Sequence, residues 1–353
     1  MKGVTSMLDT YKKFIENGTV HDIQGVATLC RVYSERITDR LKQRFCKDWN
    51  IPIKITAEPY FSERLAIYNL YKECVDKYAE FIELVTKLGG EQNYFELYNK
   101  TKDKAITYLN ENDAMKYFRE KEDMSKYKGI NGFPTSSIFK QTFIGKKFIS
   151  IDLKKGNFTA LKHYNPDIVG NCSTYEDFMK MFTDESYLRE SKYIRQVIFG
   201  NVNPKRQVTY EKYLMSLILQ DLLLSEVPKE TVVFVSADEI VLDADLYTQE
   251  LIGTINQIVE KHYNEGITTR IEYFSLKYIP ETETYCKVFL PYEGKCEVEL
   301  KCMTHTMMPF VIKALYREKV KSSDLVFELD GQLAKWLTYP KISLKGLPNV
   351  KKI

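Results

Sequence analysis

Two apolar runs ending on acidic residues constrain this chain more than any other feature: FISID at 148–152 and VVFVSADEIVLD at 232–243. Each has the length and the Val/Ile/Phe content of a buried strand. The second breaks in the middle at Ser236-Ala237-Asp238-Glu239, a polar step short enough to be a hairpin turn. A chain carrying these runs must build a sheet. If the 148–152 strand lies beside that hairpin, Asp152 and Asp238 meet at adjacent strand ends.

Around the runs, the pattern divides the 353 residues into three stretches. Residues 1–135 carry apolar positions at three- and four-residue spacing and predict a helical region. Its longest predicted helix runs through FSERLAIYNLYKECVDKYAEFIELVTKLGG and stops at Gly89-Gly90. Residues 136–303 alternate: a strand, helices including SYLRESKYIRQVIFG and TYEKYLMSLILQDLLL, the acidic hairpin, the helix YTQELIGTINQIVEKHYNEG, the strand TRIEYFSLKYI, and a second hairpin turning at Glu293-Gly294. Residues 304–353 predict helices at MMPFVIKALYREKV and GQLAKWL and a basic tail with Lys341, Lys345, Lys351 and Lys352. The expected class is α+β: an antiparallel sheet with helices on one face, between N- and C-terminal helical regions.

Composition narrows the function classes. With 51 basic against 48 acidic residues, any nucleic-acid surface has to be a local patch. The seven cysteines include no CxxC pair, so neither a zinc site nor a disulfide framework is expected, and reduced thiols in an intracellular protein are. The N-terminus lacks a signal-peptide apolar core, and the greasiest run, LMSLILQDLLL, is interrupted by Gln220 and Asp221, so no membrane span is expected. No GxxxxGK[ST], GxGxxG, GxSxG or HExxH string occurs. What remains is the carboxylate pair, which is the minimum equipment for holding divalent ions in phosphoryl chemistry.

These residues resemble the palm of template-directed polymerases, most closely the family that includes bacterial DNA polymerase I. That family's first motif is an Asp closing a strand, followed at fixed offsets by a sugar-sensing residue, an apolar residue, a Leu and a His; here they are Asp152, Asn157, Phe158, Leu161 and His163. The second is a helix with a cation, similar to Arg195 followed by Ile198, Phe199 and Gly200. The third is an acidic turn between two strands, matched by Ala237, Asp238 and Glu239, which also resembles the turn of reverse transcriptases. Forty-three residues separate Asp152 from Arg195, and the same number separates Arg195 from Asp238, a compactness like that of reverse transcriptases.

The resemblance implies a nucleotidyltransferase that extends a primer 3′-hydroxyl by a two-metal mechanism. Asp152 and Asp238 would bind Mg²⁺ or Mn²⁺, with Glu239 as a secondary acid. Arg195 and Lys192 would hold the triphosphate of a nucleoside triphosphate, and Asn157 would sense the sugar, tolerating ribonucleotides. Lys205 and Arg206 would be supplementary phosphate cations, and Lys277 a later palm element. The partners implied are a DNA or RNA primer–template and nucleoside triphosphates, with no membrane.

Three positions depart from the family: Ser191 stands where a first-turn Arg is usual, Asn203-Pro204 replaces a closing Tyr-Gly, and Ala237 replaces a His. They feed an alternative, a catalytically decayed palm acting as a nucleic-acid-binding or structural subunit of a viral or mobile-element assembly, joined through its N-terminal helical region. Asn157 also has a plainer role open to it, capping a helix that begins at Phe158.

Overall fold

The computed structural model describes residues 7–17, 22–290, 297–343 and 350. Seven helices form the N-terminal region: α1 (Met7–Glu16), α2 (Ile23–Ser34), α3 (Asp39–Asp48), α4 (Tyr60–Tyr71), α5 (Val75–Lys87), α6 (Glu91–Glu111) and α7 (Asp113–Glu120). The predicted long helix over 61–88 is two helices. Asn69 explains the break, because its side-chain oxygen accepts the N–H groups of Cys74 (2.9 Å) and Val75 (3.0 Å) and caps α5 from the preceding helix.

The central region runs β1 (Lys147–Leu153), α8 (Gly156–Tyr164), α9 (Tyr175–Lys180), α10 (Ser186–Glu190), α11 (Lys192–Gly200), α12 (Pro204–Leu224), β2 (Val232–Val235), β3 (Glu239–Asp243), α13 (Gln249–Asn264), β4 (Thr269–Ile279), β5 (Thr284–Phe289) and β6 (Val298–Lys301). These strands form one antiparallel six-stranded sheet in the order β2-β3-β1-β4-β5-β6. The first four follow the split β-α-β plan, with β1 inserted between the hairpin and β4. The second predicted hairpin is present as β5 and β6; its turn at Glu293-Gly294 lies outside the described residues. SYLRESKYIRQVIFG is also two helices, α10 and α11, divided at Ser191.

At the C-terminus α14 (Met308–Leu315) forms as expected, but GQLAKWL is not helical: it supplies β8 (Gln332–Lys335), paired with β7 (Val326–Leu329). The two-residue loop Asp330-Gly331 explains the difference, since both residues have positive φ (50° and 79°), the conformation a tight hairpin turn requires.

Side chains alternate across the sheet, and the two faces differ. Ile149, Ile151 and Leu153 of β1, with Ile240 and Leu242 of β3, join the main core. There they meet Leu161 of α8, Leu214, Ile218 and Leu222 of α12, and Ile255 and Ile258 of α13, so the sheet carries helices on this face. The same core continues into α1–α7, binding the N-terminal helices to the sheet unit. The other face is apolar only at one end, where Phe148, Val241, Phe274 and Leu276 are covered by Ile138 and its neighbours. Its other end is polar. Among the described residues, no helix is long and apolar enough to cross a membrane.

Candidate functional site

The polar end of the open face is built by register. Asp152, next to last in β1, stands opposite Glu239 on one side and Arg270 on the other. Asp238 lies one residue before β3, in a turn that Ser236 closes: its Oγ accepts the Glu239 N–H (3.0 Å) and donates to Asp238 Oδ1 (2.8 Å). The Leu153 N–H donates to the Asp238 carbonyl at 2.7 Å, pinning the turn to the end of β1. The expected meeting of Asp152 with the acidic turn is therefore present, with Glu239 as the residue directly across from Asp152.

The surrounding charges form a row across five strands. Arg270 Nη2 reaches Asp152 Oδ2 (3.3 Å) and Glu272 Oε1 (3.1 Å). Lys287, almost wholly buried over the ring of Phe274, donates to Glu272 (3.0 Å) and lies 3.8 Å from Glu239 and 4.0 Å from Glu299. Glu239 also accepts from Ser150 Oγ. Behind the turn, Glu211 of α12 is buried against Gly156, where an added Cβ would lie 3.3 Å from the carboxylate, and it accepts from Asn157 Nδ2 at 3.2 Å.

Burial makes two of these acids hold their protons more tightly. Burial pushes the Asp152 carboxyl up to about 6; Arg270 opposes the shift, and Glu239, Asp238 and Glu272 add to it. Burial, then the charge of Asp238, pushes Glu211 up to about 7. Raised carboxyl groups with a charged partner are a recurrent mark of functional sites.

The expected cations Arg195 and Lys192 stand on α11. Arg195 on α11 stacks over the ring of Tyr175 at 5.6 Å, and Lys155, at the corner between β1 and α8, stands over the same ring at 5.7 Å while pairing with Glu176. Burial lowers the pKa of Arg195, opposed by Tyr175 and Glu176. Among the described residues its guanidinium has no hydrogen-bond or ion-pair partner, which leaves its five donors for a ligand. Lys192, exposed on the first turn of α11, shares an electropositive neighbourhood with Lys72 at the end of α4. Burial depresses Lys72, Glu299 opposes, and Lys301, Lys192 and Arg270 add to the depression.

The remaining expected residues are placed differently. Arg206 donates to the carbonyls of Phe118 (2.9 Å) and Glu122 (2.7 Å) and is tied to the end of α7. Lys205 is exposed beside it. Lys277 follows the Ile271 face by strand alternation, opposite the carboxylates. Asn157 does not cap a helix beginning at Phe158: α8 begins at Gly156 with Lys155 as its N-cap, so Asn157 is the second helical residue and its side chain is free to bond Glu211. His163 bonds the Tyr210 hydroxyl (3.1 Å), a packed position.

Arg270, Glu272, Lys287, Glu299, Glu211 and Lys72 were not singled out from the sequence. The alternating R-I-E of β4 was a signal for Arg270 and Glu272, since it sends both charges to one face; the others are joined only by the fold.

Carboxylate oxygens are the donors that Mg²⁺ and Mn²⁺ prefer. Among the described residues no group of three or more His, Cys, Asp or Glu side chains is arranged to hold a metal. No family model matches the sequence, and no curated protein matches it significantly.

Proposed function

We propose that this protein is a metal-dependent nucleotidyltransferase with a polymerase-type palm, adding nucleotides to a primer 3′-hydroxyl. The observation that carries the proposal is the junction of β1 with the acidic turn, where the Leu153–Asp238 backbone bond and the Asp152–Glu239 register gather three acids at the open end of a split β-α-β sheet. Asp152 and Asp238 would hold Mg²⁺ or Mn²⁺. When bound, the ions would neutralise phosphate charge and make the attacking hydroxyl more acidic.

The chain's own groups supply the rest. Arg195, without an acceptor among the described residues, and Lys192 would bind the triphosphate, favouring the charge that develops on departing pyrophosphate. Arg270 and Lys287 hold Glu272 and Glu239 in place and limit repulsion when the site is empty of substrate. Asn157, fixed by Glu211, offers a polar edge suited to a sugar hydroxyl, which favours ribonucleotide tolerance.

One observation favours the second reading, a decayed palm that binds nucleic acid without catalysis: Arg270 already occupies Asp152 as an ion-pair partner. The pair is half exposed and worth at most about 1 kcal/mol, so a divalent ion would displace it readily. Incorporation of labelled nucleotides on primed DNA and RNA templates, with Mg²⁺ or Mn²⁺ and with chelator, separates the two. Metal-dependent extension is expected; template binding without extension under either metal would establish the second reading.

A further inference from the structure

The helix that carries Lys192 and Arg195 is held at its start by the N-terminal region. Asp48, the last residue of α3, is wholly buried. One of its oxygens accepts from Ser191 Oγ at 2.8 Å; the other accepts from the hydroxyls of Tyr187 (3.1 Å) and Tyr94 (3.3 Å). Ser191, also wholly buried, accepts the Ile194 N–H at 3.2 Å and is thereby the N-cap of α11. One turn earlier on α3, the Arg44 guanidinium packs against the rings of Tyr98 (4.5 Å), Tyr193 (4.8 Å) and Phe95 (5.6 Å), and Tyr193 is the second residue of α11.

The first turn of α11 is thus gripped twice from α3, by a carboxylate at its cap and a cation over its aromatic ring. Burying a carboxylate is costly, and a joint meant only to stick helices together is served as well by apolar residues. A buried carboxylate with three hydroxyl donors does what an apolar contact does not: it fixes the rotation of the helix about its axis. Arg195 follows Ser191 by four residues and lies one turn along the same face, so its direction is set by that rotation.

We infer that Asp48 and Ser191 are positioning residues, through which the N-terminal region aims Lys192 and Arg195 at a triphosphate. The inference rests on the nucleotidyl-transfer reading. It gives residues 1–135 a part in the reaction besides assembly.

The test uses the full chain with Ser191→Ala, Asp48→Ala and the shape-conserving Asp48→Asn, which keeps an oxygen acceptor for the serine hydroxyl. Two quantities are followed: hydrogen exchange of the 192–200 amides, and KM and kcat for a nucleoside triphosphate in primer extension. Ser191→Ala should speed exchange in α11 selectively, raise KM and lower kcat, with about a tenfold loss in kcat/KM for nucleotide, as displacement of a group that binds both the triphosphate and the departing charge does. Asp48→Asn should recover most of the loss seen in Asp48→Ala. Should Asp48→Ala fail to fold, Ser191→Ala carries the test, since loss of one cap is tolerated. Unchanged α11 exchange and unchanged KM in Ser191→Ala would overturn the anchor while leaving the function standing. Absence of extension by the unmodified protein would overturn the function, and with it the triphosphate-aiming role, whatever the exchange shows.

Discussion

Arg64, Lys313 and Asp324 form one cluster of charge near the C-terminal hairpin; Asp152, Asp238, Glu239, Glu272, Arg270 and Lys287 form another on the sheet. The first is closed. Asp324 is wholly buried and takes Arg64 Nη1 (3.4 Å), the Lys313 ammonium and the Lys321 N–H (2.6 Å), while Arg64 Nη2 donates to the carbonyls of Ser323, Asp324 and Val326 at 2.8–3.1 Å. The second is open: acids outnumber cations, Asp238 is exposed, and Asp152 keeps its proton to about 6. A cluster that only holds structure pairs each charge and donor, as burial demands. One that leaves acidic charge facing solvent retains an unmet demand for cations, and that demand is what makes it a candidate site.

The open cluster should lose activity, not structure, when its acids are neutralised. The largest effect should come from Asp152→Asn or Asp238→Asn, each removing a ligand charge without changing shape. Nucleotide addition should fall at least 10³-fold, about 4 kcal/mol of barrier, with the circular-dichroism spectrum unchanged, while Glu239→Gln should cost far less. Retained extension in both Asp variants would end the polymerase proposal.

In the closed cluster the opposite is expected. Asp324→Ala strands two buried cations and should destabilise the fold by about 3–5 kcal/mol, read as a lowered urea midpoint. A loss below about 1 kcal/mol would show that the cations reach water and that the cluster is not closed.

Next in size is Arg195→Ala. A guanidinium free of acceptors among the described residues should contribute to a ligand rather than to the fold, so the variant should lose roughly 2–4 kcal/mol in kcat/KM for nucleotide and leave thermal stability almost unchanged. Unaltered kinetics would reduce Arg195 to a cation stacked on Tyr175.

How much of this was legible in the sequence follows from what each feature depends on. The strand that carries Asp152 and the hairpin that turns at Asp238 declare themselves because an apolar run and its acidic end are local. That Glu239, and not Asp238, stands across from Asp152 depends on the number of residues Ser236 draws into its turn, which no periodicity reports. The β7–β8 hairpin was legible and passed over: Asp330-Gly331 between alternating residues is a strong short-range hairpin signal, and it outweighs the helical spacing of GQLAKWL. The break in the 61–88 helix turns on one side chain, Asn69. Glu211, Lys287 and Lys72 come from separate elements, and only the packed fold makes them neighbours of the acids.

The smallest effect sharpens the contrast most, because its sign is opposite to ordinary expectation. Asp152 has a folded pKa of about 6 against an ordinary 3.8, so the folded state binds its proton more tightly than the unfolded chain does. Below about pH 4 the carboxyl is protonated in both states and costs nothing. As pH rises from 4 to 6 the unfolded chain releases the proton first, stability falls, and above 6 the full cost of the ionised group remains. Asp152→Asn removes that cost. With the side chain 30% exposed and Arg270 beside it, about 1–2 kcal/mol should be regained at pH 7–8, seen as a higher melting temperature that converges with the unmodified protein by pH 4. A variant less stable at pH 7 would mean that the Arg270 ion pair dominates and that this end of the sheet is closed, like the cluster around Asp324. A variant more stable yet inactive would be a carboxylate kept against the interest of the fold, the trade expected where function holds the residue in place.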